Sequence, residues 1–175
     1  MTLPLTIRTA RPSDLANVDL LLARSYPRLL SPDYPPSVMV LALPIISRAR
    51  PELLASGRYY LAFGADGALL GAGGWSVGAP SPAGEPEAGA RIGGVGHVRH
   101  VATDPTALRQ GVGRAVMAAV FEATRRAGMS RMECLSTRTA VPFYTSIGFQ
   151  AHGAVEVPLR AGIVFPAVQM TVDFT

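Results

Sequence analysis

With 175 residues, 49% of them hydrophobic, the chain has the length of one domain and enough apolar side chain to build a core without disulfide or metal staples. Its apolar stretches are interrupted by Arg, Pro or Asp well short of the roughly 18 to 20 residues that cross a bilayer, so no membrane span is expected. The net charge of +4 comes from scattered Arg residues; this argues against a basic nucleic-acid-binding arm and is met equally by an anionic small ligand. Every cationic side chain is Arg, so the protein has no lysine of its own to modify. The opening residues Met1 to Arg8 lack a basic start and a long apolar run, which predicts no secretory leader and a cytoplasmic location. Cys134 has no partner for an internal disulfide and reads as a small buried hydrophobe.

Thr6 to Thr9 reads as a first strand, and Pro12-Ser13-Asp14 then starts a helix carrying Leu15, Val18, Leu21 and Leu22 on one face. Ser31 to Pro36 is a rigid connection, and Val38 to Leu54 has a helical pattern interrupted at Pro44 and Pro51. Arg58 to Phe63 and Leu69 to Val77 flank the turn Gly64-Ala65-Asp66-Gly67 and predict an antiparallel hairpin. A loop rich in Gly, Pro, Ala and Glu spans 78–91. The strand Gly94 to Thr103 ends at Asp104-Pro105, and a helix begins near Gly111, with Val112, Ala115, Val116, Ala119, Val120 and Ala123 at helical spacing and Gly128 as its stop. Arg131 to Ser136 is a strand, and Thr139 is the expected N-cap of a short helix to Ser146. Ala151 to Leu159 and Val164 to Phe174 close the chain as two strands around Arg160-Ala161-Gly162. The order β-α-α-β-β-β-α-β-α-β-β predicts one α/β domain over residues 1–175, with a mixed sheet, no internal repeat and no linker.

The most informative segment is Val101 to Arg114, a strand, a bend and a glycine-bearing helix start. Gly111 and Gly113 have no Cβ, so a ligand can approach the backbone. The free N–H groups of the first helical turn point outward at the positive end of the helix dipole, where a pyrophosphate fits. Val116 stands where a dinucleotide fingerprint wants Gly, and no Lys follows Gly113 as a nucleotide-triphosphate loop needs. On these residues alone, a glycine-rich connection with no ligand is an equal reading.

A second segment changes that balance. Thr139 to Phe149 contains Ala140-Val141-Pro142-Phe143-Tyr144-Thr145-Ser146-Ile147-Gly148-Phe149, which resembles the A-x-x-F-Y-x-x-x-G-F signature of GCN5-related N-acetyltransferases. The glycine turn resembles that family's acetyl-CoA motif, in which Arg or Gln is followed by two residues, Gly, one residue, and Gly or Ala. The two lie in the family's order, and the element order resembles the family's acyl-CoA N-acyltransferase fold across essentially the whole chain.

The resemblance implies acetyl-CoA as co-substrate and no metal. The backbone of Val101, Ala102 and Thr103 would pair with the pantetheine arm, and the N–H groups of Arg109, Gln110, Gly111, Val112, Gly113 and Arg114 would hold the pyrophosphate. Two positions depart from the pattern. Leu108 replaces the leading Arg or Gln, and Thr137 stands where the family often has a cofactor-binding Asn, so Arg109 and Arg114 are expected to supply the missing charge. Tyr144 matches the general acid that protonates the departing sulfur. With reference pKa values near 10 for Tyr and 8.5 for a thiol, that transfer is uphill by about 2 kcal/mol.

An alkyl ammonium with pKa near 10.4 is neutral at pH 7 in about one molecule in 2,500, so something must take its proton. His97 aligns with a histidine that the arylalkylamine branch of the family uses, and is the candidate base. Strand alternation predicts His97, Arg99 and Val101 on one face and His100 on the other, and a strand N–H near Val101 would polarise the thioester oxygen. By resemblance the acceptor, a small-molecule amine or a protein or peptide amine, would meet Tyr26, Tyr34, Pro35, Pro36 and Trp75. The last two strands offer an edge for a homodimer. A non-catalytic acyl-CoA-binding module, a transferase with another acyl donor and a basic nucleic-acid binder are the competing readings. Tyr144 favours catalysis, and the lack of basic runs counts against nucleic acid.

Overall fold

A computed structural model describes residues 3–78, 94–160 and 162–174. The predicted loop at 78–91 therefore lies, beyond Gly78, outside the described residues. Seven strands form one sheet in the order β1-β2-β3-β4-β5-β7-β6. They are β1 (Thr6–Thr9), β2 (Tyr59–Phe63), β3 (Leu69–Ser76), β4 (Val95–Thr103), β5 (Arg131–Ser136), β6 (Gln150–Arg160) and β7 (Ile163–Asp173). Every neighbouring pair is antiparallel except β4 and β5, which are parallel. The helices are α1 (Leu15–Leu30), α2 (Pro36–Ile46), α3 (Pro51–Ala55), α4 (Val112–Arg126) and α5 (Val141–Ser146).

The predicted elements form at the predicted places because apolar spacing and turn residues agree there. On α1, Val18, Leu21 and Leu22 are buried and pack with Leu53, Leu54, Leu61, Ala72 and Ala102 on one face of the sheet. Asp14 fixes the approach to that helix: it accepts two bonds of 2.8 Å from the Arg8 guanidinium and one of 2.7 Å from the Arg11 N–H. Those donors hold its carboxyl down at about 2.

On the other face, α4 lies directly on β3 because β3 has almost no side chain there. A Cβ on Gly71 would sit 2.4 Å from Val112 Cγ1, and one on Gly73 would sit 2.9 Å from Val116 Cγ1. Farther along, Trp75, Met117, Val120, Met132, Tyr144 and Phe149 form the core beneath α4 and α5.

Three expectations are corrected. Pro44 does not interrupt α2, which runs through it to Ile46. The bond its ring forfeits would go to the carbonyl of Val40, a residue on the solvent face of the helix that is 69% exposed. The break falls instead at Ser47 to Arg50, and Pro51 begins α3 in the first-turn position where its missing N–H costs nothing. Thr139 does not cap α5: its hydroxyl donates to Asp33 at 2.7 Å, and the Ala140 N–H meets the hydroxyl and the carbonyl of Thr137 instead.

The third correction concerns β4. The register with β3 shifts between Ala72 and Gly74, so that His100 and Val101 oppose Gly73 alone, and His100 adopts φ 46°. This is a β-bulge, and it breaks the alternation that the sequence predicts. His97 and Arg99 keep one face, and Ser76 on β3 accepts a bond from Arg99 there. Val101 crosses to the α4 side, where its side chain meets the Gly73 position beside Val116. Ala102 then returns to the α1 side.

Candidate active site

The sheet opens at its centre. β4 and β5 pair only from Val95 to His97 against Arg131 to Glu133, and beyond that no register joins them. The Asp104 N–H donates to Leu70 at 2.7 Å, and Ala102 lies opposite Ala72. Antiparallel alternation therefore turns the backbone groups of Ala102 toward β3 and leaves those of Val101 and Thr103 facing the opening.

Hydroxyl groups from the α1 side hold this stretch of β4. Ser25 donates to the Thr103 carbonyl at 2.9 Å, Tyr26 to that of Val101 at 3.2 Å and Tyr59 to that of His100 at 2.8 Å. With those carbonyls engaged, the strand keeps N–H donors at Val101 and Thr103 for whatever enters the gap. The lower end of β4 is pinned by Asp104, which is 1% exposed, accepts from both the N–H and the hydroxyl of Thr106, and pairs with Arg24.

Below this edge lies the glycine turn. Arg109 has φ 57° and Gly111 has φ 84°, both left-handed, and Gly111 is the N-cap of α4. Alternation of left- and right-handed residues gathers successive N–H groups into an anion-binding concavity at the positive end of the helix. Arg109 and Arg114 are exposed and form no ion pair among the described residues, so their charge is available there. Val112 is buried in the core and can offer only its backbone. Gly113 also has a packing reason: a Cβ would lie 3.1 Å from the Phe143 ring, so the glycine lets α4 and α5 pack closely.

Tyr144 projects from α5 into the core beside Phe143, Phe149 and Cys134. Burial pushes the phenol well above its ordinary range, and pushes the Cys134 thiol up to about 12. The phenol thus keeps its proton at any physiological pH. His97, on the opposite face, is half-buried with Nδ1 3.7 Å from Glu133 Oε2, and burial lowers its pKa.

An open cavity of about 180 Å³ occupies the parting of the strands on the α1–α2 side. Its walls are Tyr26, the end of α2 at Ile45 and Ile46, Arg50, the bulged stretch Val98–His100, Leu135 and Thr137, and the β6–β7 hairpin with Phe165. Of the residues expected to meet an acceptor, Tyr26 is there. Tyr34 is instead a buried tie, donating to Pro166 at 2.7 Å and accepting from the Arg138 N–H at 2.8 Å. Trp75 is buried on the α4 side, and Pro35 and Pro36 start α2 away from the cavity. Arg50 and His100 are among the lining residues that sequence reasoning missed. Arg50 has no local pattern around it, and His100 is displaced by a bulge that a run of strand-forming residues does not announce.

A family model for the acetyltransferase (GNAT) domain matches residues 47–173. The chain therefore belongs to the GNAT acetyltransferase family, a class of acyl-CoA-dependent N-acyltransferases. Among solved structures, a GCN5-related N-acetyltransferase from Rhodopseudomonas palustris superposes with a TM-score of 0.73 at 18% identity, covering 99% of this chain and 97% of that one. The PaiA N-acetyltransferase from Thermoplasma acidophilum, in complex with coenzyme A, gives a TM-score of 0.70 at 13% identity over 98% and 99% of the two chains. A glucosamine 6-phosphate N-acetyltransferase from Trypanosoma brucei brucei is 34% identical over 58 residues, which is 33% of this chain and 40% of that relative's length. No helix among the described residues is long and apolar enough to cross a membrane, and no group of three or more metal-ligating side chains occurs among them.

Proposed function

We propose that the chain transfers an acetyl group from acetyl-CoA directly to an amine held in the cavity between β4 and β5. The observation that carries this reading is the opened edge of β4 above a left-handed glycine turn, with the protonated Tyr144 packed in the core beside Cys134 of the neighbouring β5. The left-handed turn at Arg109 to Gly111 and the first N–H groups of α4 suit a pyrophosphate, with Arg109 and Arg114 adding charge. The backbone of Val101 to Thr103 suits an amide-bearing arm that adds to a strand edge, and Thr137, before the α5 turn, lines the same cavity as Val98 to His100.

Acetyl-CoA supplies a thioester whose C–S bond is exchanged for an amide C–N bond. The N–H of Val101 faces the position where negative charge develops on the carbonyl oxygen. His97 takes the proton that the ammonium must lose, and Tyr144 gives its proton to the departing sulfur. Burial makes Tyr144 a weaker acid than its reference value implies, which alone would steepen that step. Burial pushes the neighbouring Cys134 thiol up to about 12, and a leaving thiolate that enters the same surroundings would be raised too, offsetting part of that cost. Cys134 itself, neutral and buried, is no nucleophile, which favours direct attack over an acyl-enzyme.

The test combines calorimetric titration of acetyl-CoA with detection of thiol release across a panel of amines, for the wild type and Tyr144→Phe. The expected outcome is saturable binding to both proteins, with turnover falling about 100-fold or more in the variant. Binding without thiol release on any amine would instead mark a non-catalytic acyl-CoA-binding module.

A further inference from the structure

The walls of the cavity divide chemically. One side is apolar, with Ile45, Leu135 and Phe165; the other carries Arg50, Arg99 and His100. No carboxylate is among the lining residues. Two atoms on the polar side, Arg50 Nε and His100 Nδ1, are buried without a hydrogen-bond partner. Buried polar atoms left unsatisfied are uncommon, and two of them beside one cavity favour a polar occupant, water or ligand, over an apolar one. Burial, with Arg99 and Arg50 nearby, pushes His100 down to about 3, so the imidazole is neutral and offers one N–H. Arg99 donates to Ser76 Oγ at 3.2 Å, which orients its guanidinium along the same face. The group that suits such a wall is an anion with in-plane acceptors, and the planar fork of Arg matches a carboxylate.

We propose that the acceptor is a small apolar α-amino acid, its carboxylate received by Arg50 and His100 and its side chain lying against Ile45, Leu135 and Phe165. This rests on the transferase reading of the same site and narrows it to a substrate class. Size agrees: about 180 Å³ is well below the roughly 300–1,000 Å³ of sites that hold drug-sized ligands. Position agrees as well. His100 is the bulge residue, next to Val101, whose N–H faces the thioester position. In an α-amino acid the carboxylate is two bonds from the nitrogen, so the charge-receiving side chains must sit close to the reacting atoms, as these do. The positive charge of Arg50 also disfavours the ammonium form, which eases removal of the proton that attack requires.

The experiment titrates L-phenylalanine, L-leucine, phenethylamine and O-phosphoethanolamine into the CoA-saturated protein by calorimetry, and measures thiol release from acetyl-CoA with the same compounds. We expect at least one of the amino acids to bind, phenylalanine to be preferred over phenethylamine by about tenfold or more, and Arg50→Gln to shrink that preference by about tenfold. Arg50→Lys, which keeps the charge but not the fork, should recover part of it. Equal binding of phenethylamine, a preference unchanged in Arg50→Gln, stronger binding of O-phosphoethanolamine than of either amino acid, or no binding of either amino acid would each overturn the inference. The two readings fail separately. Carboxylate-selective binding without thiol release would sink the transferase reading while keeping the anion site, and turnover indifferent to the carboxylate would do the reverse.

Discussion

A histidine that takes a proton from an ammonium must itself be unprotonated when the acceptor arrives, and its surroundings decide that. Burial lowers the pKa of His97 most, Glu133 at 3.7 Å raises it, and Arg99 lowers it, with a net downward shift from 6.5. The neutral ring therefore dominates at pH 7, and protonation on acidification should switch the base off. The expected kcat/KM profile has an acid limb below pH 6.5 that disappears in His97→Gln. Glu133→Gln removes the one carboxylate that raises the pKa, so its limb should move to still lower pH; a limb that moves upward, or one that survives in His97→Gln, would exclude His97. At this scale Tyr144 is readable as a candidate from the motif it sits in, and His97 from its alignment with a histidine of one branch of the family. Arg50 was not, since what singles it out is a buried, unpaired Nε that only the tertiary fold creates. His100 was assigned to the wrong face for a related reason: Val98-Arg99-His100-Val101 is compatible with regular alternation, and the bulge is fixed by the strand beside it.

Elements were legible wherever local chemistry and tertiary packing agree. The strand and helix limits of β2, β3, β4, α4 and β5 fall within a residue or so of expectation because turns, caps and apolar spacing all coincide there. The run from Val38 to Leu54 was less readable, since a proline in it is tolerated at Pro44 and initiates a new helix at Pro51. Packing of α4 on β3 gives a sharper prediction. Gly71 is needed because Val112 occupies its Cβ position at 2.4 Å, so Gly71→Ala should destabilise the protein by about 1–3 kcal/mol through overpacking. If that contact is the cause, Val112→Ala makes the room, and urea denaturation of the double mutant should reveal a compensating coupling of about 1 kcal/mol or more. Additive effects would mean that Gly71 is required for its backbone instead. The stake reaches beyond stability, because the seating of Val112 and Val116 on β3 sets where the first turn of α4 stands relative to the open edge of β4.

The whole molecule must keep its sheet parted without letting it fall into two pieces. Only three residue pairs join β4 to β5, so β1–β4 and β5–β7 need other ties. One tie is the connection from α1 to α2. Tyr34 there reaches across to the second half, with its hydroxyl between the Pro166 carbonyl and the Arg138 N–H, its ring stacked on Phe165 at 4.6 Å, and Asp33 accepting from Thr139. Tyr34 is 3% exposed, and removing its hydroxyl takes one partner from each of two backbone groups, the Pro166 carbonyl and the Arg138 N–H. Tyr34→Phe is expected to lose about 1–3 kcal/mol of stability in urea denaturation, with faster amide exchange at Arg138 and little change in acceptor KM, because the stacked ring that supports Phe165 remains. Tyr34→Ala also removes the ring, leaving Phe165 without its support on the cavity wall, and should raise acceptor KM as well as lower stability. If the two variants weaken acceptor binding equally, the hydroxyl tie and not the stack holds the cavity open; if neither does, the α1–α2 connection stabilises the fold without shaping the site.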